Sequence, residues 1–187
     1  MGFSISGLPI DRFEPLLRLD ARALEATGVV ELRVDEEHAF PCRVTLEDAV
    51  PGERVLLVNF THQPADSPYR ASGPLFVRRD ARQTRVAVDQ VPDQQRRRLL
   101  SVRAYDARDW IVKAEVTPGT ELEAVIEQLF ADPRVAYLHL HNARPGCYAA
   151  RVDRREVKGI GDRSQEIVVE APDARAQKRR GRQCRPL

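Results

Sequence analysis

The chain has 187 residues, 42% of them hydrophobic and 31% charged, the balance of a single globular domain with a polar extension rather than of a fibre or a repeat array. No apolar run approaches the ~20 residues of a membrane span, and the start Met1-Gly2-Phe3-Ser4-Ile5 runs into Asp11 and Arg12 without a basic-then-apolar signal layout. Three cysteines, Cys42, Cys147 and Cys184, are too few and odd in number for a disulfide framework, so a cytoplasmic protein without membrane attachment is expected.

In chain order, Phe3 to Leu8 alternates like a strand, and Leu16, Leu17, Leu19 and Leu24 predict one or two short helices, with Asp20 as N-cap and Gly28 as the residue past the C-cap. Strands are expected at Val29 to Val34, Cys42 to Leu46 and Val55 to Phe60, the last two as antiparallel neighbours across the turn Val50-Pro51-Gly52-Glu53. Thr61 to Pro74 carries Pro64, Pro68, Gly73 and Pro74 and reads as a long stiff loop. Strands follow at Leu75 to Val77 and Thr84 to Val88, then a helical piece near Pro92 to Arg98. A hairpin is expected from Leu100–Tyr105 and Trp110–Val116 around Asp106-Ala107-Arg108-Asp109.

Leu122, Val125, Ile126 and Leu129 fall at helical spacing within Glu121 to Ala131, and Thr120 with Glu123 predicts a capping box. Val135 to His141 and Cys147 to Val152 are the final strands, joined around Ala143-Arg144-Pro145-Gly146, and Ile167 to Val169 is a further candidate strand. The fold expected is therefore α+β: a mainly antiparallel twisted sheet with one well-defined helix near 120–131 and short N-terminal helices packed on it.

The body is expected to end near Asp153, giving one domain over 1–155 and a polar, largely disordered basic tail over 156–187. From Ala171 onward Arg175, Lys178, Arg179, Arg180, Arg182 and Arg185 face Asp173 alone, which leaves the rest of the chain net negative beneath an overall charge of +2. Such a tail can touch nucleic acid or an acidic partner through counterion release, but it has no aromatic side chain for base stacking, which disfavours specific nucleic-acid binding.

Strand alternation puts Leu138 and Leu140 on one face of the last hairpin and Tyr137, His139 and His141 on the other. With Leu140 paired to Tyr148, His141 falls beside Cys147 and Tyr137 beside Arg151. Three chemistries fit that face. Cys147 is a candidate nucleophile whose thiolate a neighbouring His141 or Arg151 favours, or His141 is a general base. His139 and His141 point the same way and suit two metal ligands with His62 or Cys147 as a third, but a His-x-His pair alone is no metal signature and no metal or other cofactor is assigned. Arg151, Arg43 and Arg70 suit a clamp for a carboxylate or phosphate, with Asn142 and the histidines supplying directional hydrogen bonds. The 61–74 loop adds His62, Ser67, Tyr69 and Arg70. No Gly-rich phosphate loop, GxSxG elbow or HExxH motif occurs.

The runs Phe40-Pro41-Cys42-Arg43-Val44-Thr45-Leu46-Glu47-Asp48-Ala49, His62-Gln63-Pro64-Ala65-Asp66-Ser67-Pro68-Tyr69-Arg70, Ser72-Gly73-Pro74-Leu75-Phe76-Val77, Leu99-Leu100-Ser101-Val102-Arg103-Ala104-Tyr105-Asp106 and His139-Leu140-His141-Asn142-Ala143-Arg144 with Gly146-Cys147 resemble the short bacterial proteins grouped as domain of unknown function 1203. The resemblance spans about Phe3 to Asp153 and implies a compact cytoplasmic domain, with no activity to carry over. The functional expectation is a small-molecule site for an anionic or polar ligand between the 61–74 loop and the exposed face of the 135–152 hairpin, catalytic through Cys147 and His141 in its enzymatic version. The alternative is a non-catalytic module whose basic tail binds an acidic partner or nucleic acid.

Overall fold

The computed structural model describes residues 2–155; the expectations for the tail and for a strand at Ile167 to Val169 lie outside them. Among the described residues nine strands form two antiparallel sheets. A six-stranded sheet runs in the order β5 (Val86–Val88), β1 (Gly2–Ser6), β9 (Tyr148–Arg155), β8 (Tyr137–Asn142), β6 (Leu99–Tyr105), β7 (Ile111–Pro118), and a three-stranded sheet in the order β2 (Val30–Arg33), β3 (Arg54–Gln63), β4 (Ala71–Arg78). With short helices among them the class is α+β, and among the described residues no helix is long and apolar enough to cross a membrane.

Local signals set most boundaries. The Asp20 side chain accepts from the Ala23 amide at 2.8 Å and starts α2 (Ala21–Ala26), while Gly28 takes φ +74° just past its end. α1 (Glu14–Leu17) precedes it, and α3 (Asp93–Arg96) follows Pro92. Asp106 shapes the β6–β7 turn by accepting from the Arg108 and Trp110 amides. α4 (Leu122–Phe130) buries Leu122, Ile126, Leu129 and Phe130 against Val102, Leu138, Leu140 and Val152 on one face of the six-stranded sheet.

Four local expectations are corrected. Residues 42–46 form no strand: Cys42 makes an isolated bridge to Phe76, and the segment turns through positive φ at Leu46. Half of the proline-rich stretch 61–74 is strand, since β3 runs to Gln63 and β4 begins at Ala71, leaving 64–70 as the connection. Pro74 is tolerated because β4 is the edge strand of its sheet, met on its outer side by an isolated bridge at Phe76. The Thr120/Glu123 capping box does not form; a short 3-10 turn leads into α4, and Glu123 instead pairs with Arg96.

The fourth correction is the register of the last hairpin. Leu140 pairs with Ala150, Leu138 with Val152, His139 with Arg151 and Tyr137 with Asp153, with an irregularity that sets His141 opposite Tyr148. The face expected to be exposed is covered: every residue of β8 is buried.

Candidate functional site

Central strand β8 is buried on both faces. Its leucines pack on α4, and its opposite face carries Tyr137, His139 and His141 in a row. Its neighbour β6 contributes Tyr105 opposite Tyr137 and Arg103 opposite His139, while β9 contributes Arg151 and Tyr148. From the other sheet β3 brings His62 against this row, its ring centroid 5.3 Å from that of His141 and 6.3 Å from that of His139.

Two β-bulges aim these side chains. The β3–β4 register passes from Thr61↔Ser72 to Gln63↔Ala71, so His62 is the extra residue, and the β8–β9 register slips between Leu140 and His141. A bulge re-aims one side chain without disturbing the strand beyond it. That is how His62 turns toward β8 while Gln63, the next residue, is also buried there and donates to the Tyr137 hydroxyl at 2.7 Å.

Three of the chain's four histidines thus meet, each offering a ring nitrogen, with all three nitrogens within 4.8 Å of one another. His139 and His141 are only 2% and 1% exposed, and His62 is half-buried. Nδ1 of His62, Nδ1 of His139 and Nε2 of His141 are buried with no hydrogen-bond partner among the described residues. Three buried ring nitrogens without a partner in one cluster are rare in a core, where buried polar groups are paired. The other nitrogen of His141, Nδ1, lies 3.0 Å from the Gly146 carbonyl. That carbonyl can only accept, so Nδ1 carries the proton and Nε2 keeps its lone pair.

The electrostatics keep all three rings neutral. Burial, with the Arg103 charge second, pushes His62 down to about 4. Burial pushes His139 down to about 2, with His141, Arg151, His62 and Arg103 adding to it. His141 falls to about 4 through burial, opposed by its hydrogen bond to Gly146. Aromatic rings wall the cluster: Tyr148 stacks on His62 at 5.0 Å and 14°, and meets His139 and His141 edge-on. Tyr105 stacks on Tyr137 at 5.1 Å, and the Arg151 guanidinium lies 3.8 Å from the Tyr137 ring centroid. The Tyr137 hydroxyl donates to Asp109 at 2.6 Å.

The other sequence candidates separate into different places. Ser67 shapes its own turn, accepting from the Tyr69 amide and donating weakly to the Asp109 carbonyl. Tyr69 packs on Trp110 and Tyr105, and Arg70 donates back to the Pro64 carbonyl. Arg151 pairs with Asp153. Cys147, Arg43 and Asn142 line a cavity that none of the three histidines lines. Sequence reasoning missed Tyr148, placed there with the core, and Arg103 and Tyr105, whose i, i+2 spacing on β6 marks one strand face and was the signal available.

Residues 39–154 match the family model described as a protein of unknown function (DUF1203), a span that contains all three histidines and the whole β3–β4 and β8–β9 framework. No curated protein and no solved structure matches the chain.

Proposed function

The chain belongs to the DUF1203 family of proteins of unknown function, and for this member we propose a transition-metal centre held by His62, His139 and His141 that presents an open position to a small anionic or polar ligand. The observation that carries this reading is that the three rings each bring a nitrogen within 4.8 Å of one another, and each ring also holds a buried nitrogen with no hydrogen-bond partner among the described residues. Nitrogen atoms spanning a tetrahedral metal at ~2.0–2.1 Å lie a little over 3 Å apart, so a small inward movement of the rings closes the site. Imidazole donors suit zinc, iron, copper or nickel rather than calcium or magnesium.

Three protein ligands leave a coordination position free, the arrangement of metal sites that bind substrate or activate water. Arg103, opposite His139 and without an ion-pair partner among the described residues, favours an anion beside it. The rings of Tyr148, Tyr137 and Tyr105, buried beside the histidines, give the centre a low-dielectric surround. In this reading His141 serves as a ligand rather than as a general base: its lowered proton affinity makes it a weak base, and its Gly146 contact is the outer-shell hydrogen bond that orients a metal-bound imidazole.

The test is titration with Co(II), read by visible ligand-field absorption, on the full chain and on His62→Ala, His139→Ala, His141→Ala and the control His38→Ala. One equivalent should bind to the parent and to the control, with affinity lowered on the order of 100-fold or more in each of the other three. Absence of ligand-field bands in the parent, or equal binding by the His139→Ala protein, would overturn the proposal.

A further inference from the structure

A cavity of about 550 Å³, lined by none of the three clustered histidines, is bounded by Arg43, Arg97, Arg98 and Arg144 with Asn142 and Cys147, and by no aspartate or glutamate. Its volume lies in the range of small-molecule sites. We infer that this cavity is a second ligand site, separate from the histidine cluster, that takes a small organic oxyanion: a carboxylate or a phosphate ester with an apolar body.

Arg43 is the central observation. It is 2% exposed, and its Nε and Nη1 donate to the backbone carbonyls of Tyr148 and Pro41. Among the described residues no carboxylate forms an ion pair with it. The nearby acid, Asp48, is engaged by Arg98 at 2.7 Å and by Arg97 at 3.7 Å. A buried guanidinium bound only to neutral carbonyls retains its full charge without a counterion, an expensive arrangement that an anion in the adjoining cavity relieves. Arg43 remains protonated at neutral pH even though burial lowers its proton affinity to about 10.

Asn142 supplies the second observation. It is 8% exposed, and its Oδ1 is buried with no donor. A ligand that fills the cavity therefore brings an acceptor group for Arg43 and a hydroxyl or amide N–H for Asn142. Pro41, Phe76 and Leu99 form the apolar part of the wall, which suits an organic body over a bare inorganic ion. Arg144, exposed at the mouth, steers the charge inward.

Cys147, half-buried in the same wall, is the built-in reporter. Its alkylation by neutral iodoacetamide is followed by peptide mass mapping of the full chain, in EDTA so that no metal-bound anion contributes. Benzoate, phenyl phosphate and inorganic phosphate are compared with chloride at matched ionic strength. Benzoate or phenyl phosphate should slow Cys147 alkylation at least severalfold with saturation and raise the melting temperature of the parent. Arg144→Glu should raise the half-saturating concentration about tenfold, the loss of one ~1.4 kcal/mol charge contact. Protection by phenyl phosphate alone assigns a phosphate ester, and protection by benzoate alone assigns a carboxylate. Alkylation rates equal in all four salts, or protection unchanged in Arg144→Glu, would overturn the inference. Arg43→Met serves as a further variant, but the wild-type melting shift keeps the test decisive should that protein fail to fold.

Discussion

The Nδ1 of His141 stands 3.0 Å from the carbonyl oxygen of Gly146, across the tip of the β8–β9 hairpin. The contact fixes a tautomer. Long-range nitrogen–proton correlation spectra at neutral pH should show His141 protonated at Nδ1 alone, and added Zn(II) should shift the Nε2 resonance of His141 while leaving its Nδ1 proton in place. A signal from the Nε2–H tautomer would contradict both the tautomer and the ligand assignment.

Three histidines held neutral make the fold acid-sensitive. Their folded-state pKa values, about 4, 2 and 4, lie below the unfolded value near 6.5, so unfolding takes up protons as the pH falls through that window. Stability should be level above about pH 6.5 and fall below it. Each fully buried ring contributes a slope approaching ~1.4 kcal/mol per pH unit between about pH 6 and pH 4.5, and half-buried His62 contributes less. Urea unfolding at a series of pH values measures this. An unchanged midpoint down to pH 5 would show that the rings are solvated.

Tyr148 orients the site through its ring face. Tyr148→Leu removes the stack on His62 and the edge contacts with His139 and His141, and Co(II) affinity should drop by about 10- to 100-fold as for other outer-shell losses. Tyr148→Phe keeps the ring, and should bind within about threefold of the parent, a difference under ~1 kcal/mol. Equal affinities in the leucine and phenylalanine proteins would remove the ring from the explanation.

Gly7 has no room for a side chain. A Cβ there would lie 2.2 Å from the Val44 carbonyl oxygen and 3.0 Å from that of Arg43, and both are backbone atoms that cannot swing aside. The adjacent Leu8 amide donates to the Arg43 carbonyl, so the contact also seats Arg43 over its cavity. Gly7→Ala should destabilise the protein by about 2–3 kcal/mol or more, read as a lower melting temperature. An unshifted melting curve would mean that the 43–44 backbone moves freely.

Much of the framework was legible in the residues. Period-two alternation gave most strands, the Asp20 and Gly28 pair bracketed a helix, and Leu122, Ile126 and Leu129 marked the helix that covers the sheet. Tyr137, His139 and His141 were readable as one face. Missing were the bulges at His62 and beside His141, because a single extra residue leaves no composition signal and yet changes which side chains meet. Reading Thr61 to Pro74 as a loop hid the strand that carries His62, since prolines signal a loop without telling it from an edge strand. The two sheets are built from distant parts of the chain, so the convergence of His62 on His139 is a tertiary fact that no local motif announces.

His62 belongs to the three-stranded sheet, and His139 and His141 to the six-stranded one. An ion bound by all three is consequently a cross-link between elements far apart in sequence. Among the described residues the cysteines form no disulfide, so this clasp would add a tie of bond-like strength that they lack. Closing so long a loop restricts the unfolded ensemble in the same way as a disulfide, by roughly 4 kcal/mol in the chain-entropy picture. The ion would then serve as a reversible fastener whose state follows metal supply rather than the redox poise of the surroundings.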